Sequence, residues 1–260
     1  MSFDVAAEAY SRFMGRFSEP LADVFVRWVG MQPGDRALDV GCGPGALTAR
    51  LVDRLGPDSV AAVDPSEPFV AAARRRFPAV DVRSAAAEQL PYPDHAFDAA
   101  LAQLVVHFMA DPVAGLREMG RVTRPGGAVA ACVWDHASHR GPLATFWRAV
   151  KDLDPDARGE AGLAGAQEGH LAELCTAAGL VEVESGLLTV EVGFASFDDW
   201  WEPYTLGVGP AGSYVTGLDD EHRERLRLRC RELLPAAPWT ASVSAWSVRA
   251  VPPAGQLGSG

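Results

Sequence analysis

The chain is poor in the features that mark several functional classes. Its four cysteines, Cys42, Cys132, Cys175 and Cys230, are scattered, and no C-x-x-C pair occurs. That argues against a zinc site or a dithiol redox motif, and no other cluster of metal-ligand spacing is visible. No apolar run reaches about 18 residues, so no membrane span is expected. The opening stretch "MSFDVAAEAY" lacks the basic and apolar parts of a secretory leader, which points to a cytoplasmic protein with reduced thiols. Positive charge is also short: 23 basic residues face 34 acidic ones, a net charge of −11. A phosphate backbone is repelled by that field, which argues against a dedicated nucleic-acid binder. The densest basic run, Arg74 to Arg76, reads as the solvated face of a helix. There is no internal repeat. What remains is a chain of 260 residues with 48% apolar content, enough to bury a substantial core.

From residue 20 to about 135, helical and extended patterns alternate, the signature of a parallel α/β sheet. A helix is expected over 20–29, with Leu21, Val24, Phe25 and Trp28 on one face. Strands follow at 36–40, 59–64, 80–85, within 97–106, and at 128–134, with helices at 46–55, 66–77 and 112–122 between them. "RPGG" at 124–127 reads as a turn. A helix over 169–180 closes at Gly179. Alternating stretches at 181–192 and 241–251 read as late strands that join the sheet edge as an antiparallel pair. The expected fold is α/β: a doubly wound, mostly parallel, Rossmann-like sheet with late antiparallel edge strands and lid insertions. One domain over 1–251 is expected. Its core comprises 20–135, 169–192 and 241–251, its insertions 136–168 and 196–238, and 252–260 is a flexible tail.

In an open α/β sheet the ligand sits beyond the carboxyl ends of the strands. "LDVGCGPGALT", residues 38–48, ends the first strand there with three glycines, whose missing Cβ lets a ligand approach the backbone. Asp64 ends the second strand, 25 residues after Asp39, where a carboxylate suits a ribose diol. Pro65 restricts the backbone of Asp64. "AAEQLP" at 86–91 and Gln103 to His107 occupy the same sheet edge. Asp98 opens the fourth strand at the opposite edge and reads as structural. "GCGPGA" satisfies G-x-G-x-x-A, so a nicotinamide or flavin dinucleotide is an alternative ligand. Against it, Asp39 would set a negative charge close to a pyrophosphate, and Pro44 and Gly45 lengthen the loop. A ligand with a ribose, a cationic centre and no phosphate fits better, and S-adenosylmethionine is such a ligand.

"LDVGCGPG", "VDPS", "AAAEQLPYPDHAFDAALAQLVVHF" and "REMGRVTRPGG" resemble, in order and spacing, the class I S-adenosylmethionine-dependent methyltransferases. The likeness is strongest to the ubiquinone/menaquinone-methyltransferase-like branch and covers residues 10 to 134. The resemblance implies that Gly41 and Gly43 approach the methionine part, that Asp39 fixes its amino group and that Asp64 holds the ribose. It implies that the backbone at Ala87 and Glu88 meets the adenine edge, that Gln103 faces the cofactor, and that Tyr10 and Arg16 close over the methionine carboxylate. One departure is Ala86, where the family usually has an acid, so the adenine edge falls to the backbone.

Methyl transfer then needs proximity and exclusion of water, and a base only where the acceptor keeps its proton. His107, at the fourth strand end, is the candidate base, with a satisfied interior histidine as the alternative. His136 and His139 are expected on the surface, and Cys42 as a packing residue. The aromatic-rich insertions suit a small apolar or planar acceptor, with Trp134, Trp201 and Tyr204 as the candidate contacts. A short helix capped by Ser196 is expected to carry Trp201 towards that acceptor, with Trp200 and Tyr204 as its anchor. The function expected is methylation of a small molecule. An NAD(P)-dependent oxidoreductase and a non-catalytic protein of the same fold are the alternatives, which cofactor binding and a mass change of the acceptor discriminate.

Overall fold

A computed structural model describes residues 7–254. Seven strands form one sheet: β1 Ala37–Val40, β2 Val60–Asp64, β3 Asp81–Ser84, β4 Phe97–Gln103, β5 Thr123–Trp134, β6 Val181–Phe194 and β7 Trp239–Val251. Their spatial order is β3-β2-β1-β4-β5-β7-β6. The first five run parallel, β7 opposes β5, and β6 opposes β7. β1 and β2 are buried along their whole length, as parallel strands covered on both faces must be, and they read accordingly as continuous apolar runs around Asp39 and Asp64.

Ten α-helices accompany the sheet among the described residues: α1 Ala7–Tyr10, α2 Arg16–Val29, α3 Ala46–Leu55, α4 Glu67–Arg76, α5 Pro112–Val122, α6 Ala144–Leu153, α7 His170–Ala177, α8 Phe197–Trp201, α9 Gly209–Thr216 and α10 Asp220–Leu233. One core packs α2 and α3 with the aromatic residues of α6 and α8. It takes the inward residues of β6 as well, Leu188, Val190, Val192 and Phe194, which alternate with exposed ones. The opposite core packs α5 and α7, through Leu116, Met119, Leu171 and Cys175.

Three local readings need correction. α2 begins at Arg16, four residues before Pro20, because Phe17 and Leu21 are both drawn into the core. The stretch 124–127 is not a turn ahead of the strand. β5 starts at Thr123 opposite Phe97, and the register resumes at Ala128 opposite Ala99, so the four residues bulge out within the pairing. The late strands are longer than their alternation indicated, and together make twelve register pairs over 181–251. The last six residues of the expected tail, 255–260, lie outside the described residues. Asp98 is structural as expected: it accepts from the Arg36 N–H at 2.7 Å and pairs with Arg124.

Candidate active site

The chain runs outward from β1 to β2 and β3, then crosses back to β4 on the other side of β1. That reversal opens a crevice between the ends of β1 and β4. Gly41 and Cys42 both donate to the Val63 carbonyl, at 2.8 and 2.9 Å, so the glycine loop is pinned to β2. Asp64 pins it a second time: Oδ2 accepts from the Gly43 N–H and Oδ1 from the Ser66 N–H, each at 2.8 Å. The resulting cleft encloses about 730 Å³, part of it open solvent, and its walls include Tyr10, Asp39, Gly41, Gly43, Asp64, Pro65 and Gln103.

Three buried polar atoms on this cleft's residues have no partner among the described residues: Ser18 Oγ, Asp39 Oδ1 and Gln103 Oε1. The other Asp39 oxygen accepts from Thr48 Oγ1 at 2.6 Å. An orphaned buried acceptor is costly until a ligand satisfies it. A carboxylate among them favours a cationic donor such as an ammonium and disfavours a pyrophosphate. The residues therefore fit S-adenosylmethionine, with Asp39 and Gln103 placed for its polar methionine end. Asp64 keeps lone pairs free for a diol while both of its oxygens hold backbone.

Burial raises the Asp39 carboxyl to about 7, with the Asp64 charge adding to the effect and the Thr48 hydrogen bond opposing it. Between about pH 4 and pH 7 the folded chain thus holds a proton that the unfolded chain has released, so this group lowers stability as pH rises through that window. A cationic ligand favours the ionised form and expels the proton. S-adenosylmethionine affinity is expected to rise about five- to tenfold from about pH 6 to about pH 7.5. Asp39→Asn should flatten that rise. Calorimetry in buffers of different ionisation enthalpy measures the released proton, and a pH-independent affinity in the unmodified chain would contradict the assignment.

Asp64→Asn tests the second anchor. The amide must turn an NH2 towards either Gly43 N–H or Ser66 N–H, so one donor loses its acceptor. The expected cost is about 1–3 kcal/mol, or about 10–100-fold in S-adenosylhomocysteine affinity, with the circular dichroism spectrum retained. The sequence suggested only a lost ribose contact; the hydrogen bonds add a loosened glycine loop.

The other expected site residues divide. Tyr10 lies on the cleft, edge-on to Phe69 at 5.4 Å, and burial beside Asp64 pushes its phenol up to about 12. Arg16 does not line the cleft. Its guanidinium is bound to Asp199, at 3.2 Å to Oδ1 and 2.9 Å to the carbonyl, and lies over the Phe194 ring. It fastens α2 to α8 in place of closing over a ligand. Ala87 and Glu88 are also absent from the cleft walls: Ala87 is packed in the second core, and Glu88 accepts from the Asp111 N–H at 3.1 Å. Gln103 donates to the Ser18 carbonyl at 2.8 Å, tying β4 to α2. Cys42 is buried as expected. Ser18 carries no sequence signal of its own and enters the cleft only because α2 crosses the strand ends. Leu104 and Val105, at the expected end of the fourth strand, are turned onto the cleft by a sharp bend at Leu104, where φ is +62°.

Beyond Leu104 a second cavity of about 620 Å³ adjoins the cleft and shares Tyr10, Phe69, Leu104 and Phe108 with it. Its other walls are apolar, Trp134 and Leu143 among them, apart from His107, His136 and Glu160. Trp134, one of the expected acceptor contacts, is on the wall of this cavity. Trp201 and Tyr204 are not: both are buried in the aromatic core, and the 196–238 insertion reaches the cavity through Val208 to Ala211. Ser196 does cap α8, accepting from the Asp199 N–H at 3.0 Å, but the helix turns both tryptophans inward. His136 is half-buried and not a surface residue, whereas His139 is exposed. Burial depresses His107 to about 3, with His136 adding to it, and His136 itself to about 4. Both imidazoles are neutral at physiological pH. A base held that low takes up a proton poorly, so the intrinsic pKa that recommended His107 does not survive its surroundings. Among the described residues, no group of three or more His, Cys, Asp or Glu is placed to hold a metal ion, and no helix is long and apolar enough to cross a membrane.

Comparison with known proteins agrees with this geometry. Residues 38–131 match the family model of a methyltransferase domain. An uncharacterised methyltransferase of Mycobacterium tuberculosis is 37% identical over 140 residues, 54% of this chain and 54% of that protein. A demethylmenaquinone methyltransferase of Mycobacterium sp. strain KMS is 38% identical over 122 residues, 46% of this chain and 50% of the relative. The chain thus spans about half the length of these curated relatives. The solved structure of a Haemonchus contortus phosphoethanolamine N-methyltransferase with S-adenosylhomocysteine superposes with a TM-score of 0.57 at 16% identity, covering 95% of this chain and 57% of that one. At that identity the likeness is one of fold. The sheet order, the glycine loop answered by Asp64, the free Oδ1 of Asp39 and the family match converge on one reading: residues 38–131 form a methyltransferase domain similar to those of the class I S-adenosylmethionine-dependent methyltransferases.

Proposed function

We propose that this chain moves a methyl group from S-adenosylmethionine to a small, apolar or aromatic acceptor bound in the cavity behind Leu104. The observation that carries the reading is the shared wall: Tyr10, Phe69, Leu104 and Phe108 border both the cofactor cleft and the apolar cavity. A ligand in each would meet across that wall.

Bound S-adenosylmethionine supplies an electrophilic methyl group on a sulfonium. The chain's own residues supply position and dryness. Asp39, Gln103 and the glycine loop hold the methionine end, and Asp64 orients the ribose. Tyr10, Phe13 and Phe69 cover the junction and keep water from it. His107 Nδ1 is shut off from solvent without a partner. With its imidazole neutral, it is suited to fix an acceptor hydroxyl or amine by a hydrogen bond, and the rate then rests on proximity. The proposed unit is a single domain in which the insertions 136–168 and 196–238 shape the acceptor cavity.

The test is to incubate the chain with S-adenosylmethionine and a panel of phenols, quinols, amines and thiols. A methylated product and stoichiometric S-adenosylhomocysteine, followed by mass spectrometry, support the reading. Cofactor binding without methylation of any panel member would favour a non-methylating protein of this fold, and NAD binding in place of S-adenosylhomocysteine an oxidoreductase.

A further inference from the structure

A third cavity lies outside the two already described. It encloses about 1870 Å³, much of it open solvent, between α6 and the loop over 156–162. His136 and Glu160 line both this groove and the apolar cavity, so the two adjoin at those side chains. Trp147 forms part of its wall and donates through Nε1 to Glu160 Oε2 at 2.7 Å.

The groove gathers basic side chains. Arg148, Lys151 and Arg158 line it in a protein of net charge −11. Three arginines of the neighbouring α10 are paired: Arg223 with Asp220, Arg227 with Asp198, and Arg229 with Asp152 at 2.6 Å. The last pair matters most. Asp152 stands four residues after Arg148 on α6, the spacing at which the two would normally bridge. Arg229 reaches across from α10 and takes that carboxylate with both Nε and a terminal nitrogen. Arg148 is left without an ion pair or hydrogen bond among the described residues, as is Arg158. Lys151 reaches only the Pro155 carbonyl, at 2.9 Å. Three carboxyl groups line the groove beside these cations; with Asp152 taken by Arg229, two remain to oppose them. Asp156 is exposed, while Glu160 is buried, raised in pKa by that burial and bonded to Trp147. The cations remain in excess at the mouth of an apolar cavity.

We propose that this groove is an anion subsite, so that the acceptor is an amphiphile with its apolar, reacting end behind Leu104 and a carboxylate or phosphate ester held by Arg148 and Arg158. The proposal rests on the methyl-transfer reading for the word acceptor; the anion site itself does not. Paired guanidinium forks suit such oxyanions better than point charges do.

The experiment titrates the whole chain, by calorimetry and with and without S-adenosylhomocysteine, using n-decyl phosphate, n-decanoate and n-decyltrimethylammonium below their aggregation concentrations. The two anions should bind and the cation at least about tenfold more weakly, and added salt should weaken the anions. Arg148→Gln with Arg158→Gln should lower the anion affinities about tenfold, because both contacts are solvent-exposed, and leave S-adenosylhomocysteine affinity unchanged. Whichever anion binds more tightly identifies the headgroup. Equal binding of the cation, or unaltered anion binding in the double variant, overturns the proposal. So does a single-stranded oligonucleotide that binds more tightly than decyl phosphate with the same arginine dependence. Failure of the unmodified chain to bind S-adenosylhomocysteine while anion selectivity persists would instead remove the methyl-transfer reading and leave an anion site.

Discussion

Gly41→Val is expected to lower S-adenosylhomocysteine affinity by at least about a hundredfold. Two costs add. Gly41 has φ +74°, a conformation that is a genuine outlier for a β-branched residue. A Cβ there would also lie 2.4 Å from Val105 Cγ2 and 2.5 Å from Cγ1, so the Val105 side chain must move. Overpacking of this kind costs about 1–3 kcal/mol, and a strained φ/ψ about 1–3 more. Val105 lines the cleft and follows Leu104, itself at positive φ, so the displacement passes directly into the wall against which the cofactor rests. Gly43 provides the internal comparison. Its φ is +52°, but a Cβ there would meet nothing within 4 Å. Gly43→Ala should therefore cost the backbone term, about 1 kcal/mol, and whatever space the Cβ takes from the ligand, with no collision against the protein itself. Removing the obstructing side chain separates strain from collision: Gly41→Ala combined with Val105→Ala should recover part of the affinity lost in Gly41→Ala alone. Calorimetric titration with S-adenosylhomocysteine reads all four variants. Unimpaired binding in Gly41→Val would show that the loop does not need its close approach to β4.

Trp201→Ala is expected to cost about 3–5 kcal/mol of stability and to leave cofactor affinity of the folded protein unchanged. Trp201 is only 5% exposed and lies nearly parallel to Phe197, with ring centroids 6.3 Å apart. It also stacks against Tyr204 at 6.1 Å, and Tyr204 stacks in turn on Phe146 at 4.6 Å and meets Phe13 edge-on at 4.9 Å. Deleting the indole leaves a cavity in an aromatic network that joins α8 to α6 and to the segment ahead of α2. For a chain of this size the loss corresponds to about 6–20 °C in Tm. Thermal denaturation followed by circular dichroism measures it, with titration well below Tm as the control. A normal Tm together with a raised acceptor KM would restore Trp201 to the acceptor site, where the sequence placed it.

The parallel part of the sheet was legible in the sequence because β1 to β4 are short and because both of its faces are covered. Continuous apolar runs at 37–40 and 60–64 then leave only the acids Asp39 and Asp64 to explain, and the positions of those acids at strand ends point to the cleft. The motifs of the glycine loop act locally: Gly41 donates to the Val63 carbonyl and Gly43 to the Asp64 carboxylate, partners that parallel pairing of β1 with β2 brings within reach. These things the sequence determined by itself. The tertiary structure decided everything that depends on how separate elements face one another. Arg16 and Asp199 are 183 residues apart, and no local pattern signals that the arginine is taken by the lid before it can reach a ligand. Adjacent tryptophans on a short helix cannot be assigned an inner and an outer face by periodicity, because a five-residue helix has too few turns to define a stripe, and both are buried. His107 has the composition of a base, yet its proton affinity is set by its burial beside His136, which the fold imposes. The charge of the outer groove likewise follows from Arg229 crossing to Asp152, a choice of partner made by the docking of α10 against α6. Local chemistry is written in neighbouring residues, whereas burial, pairing and pKa belong to surfaces that exist only once the chain has folded.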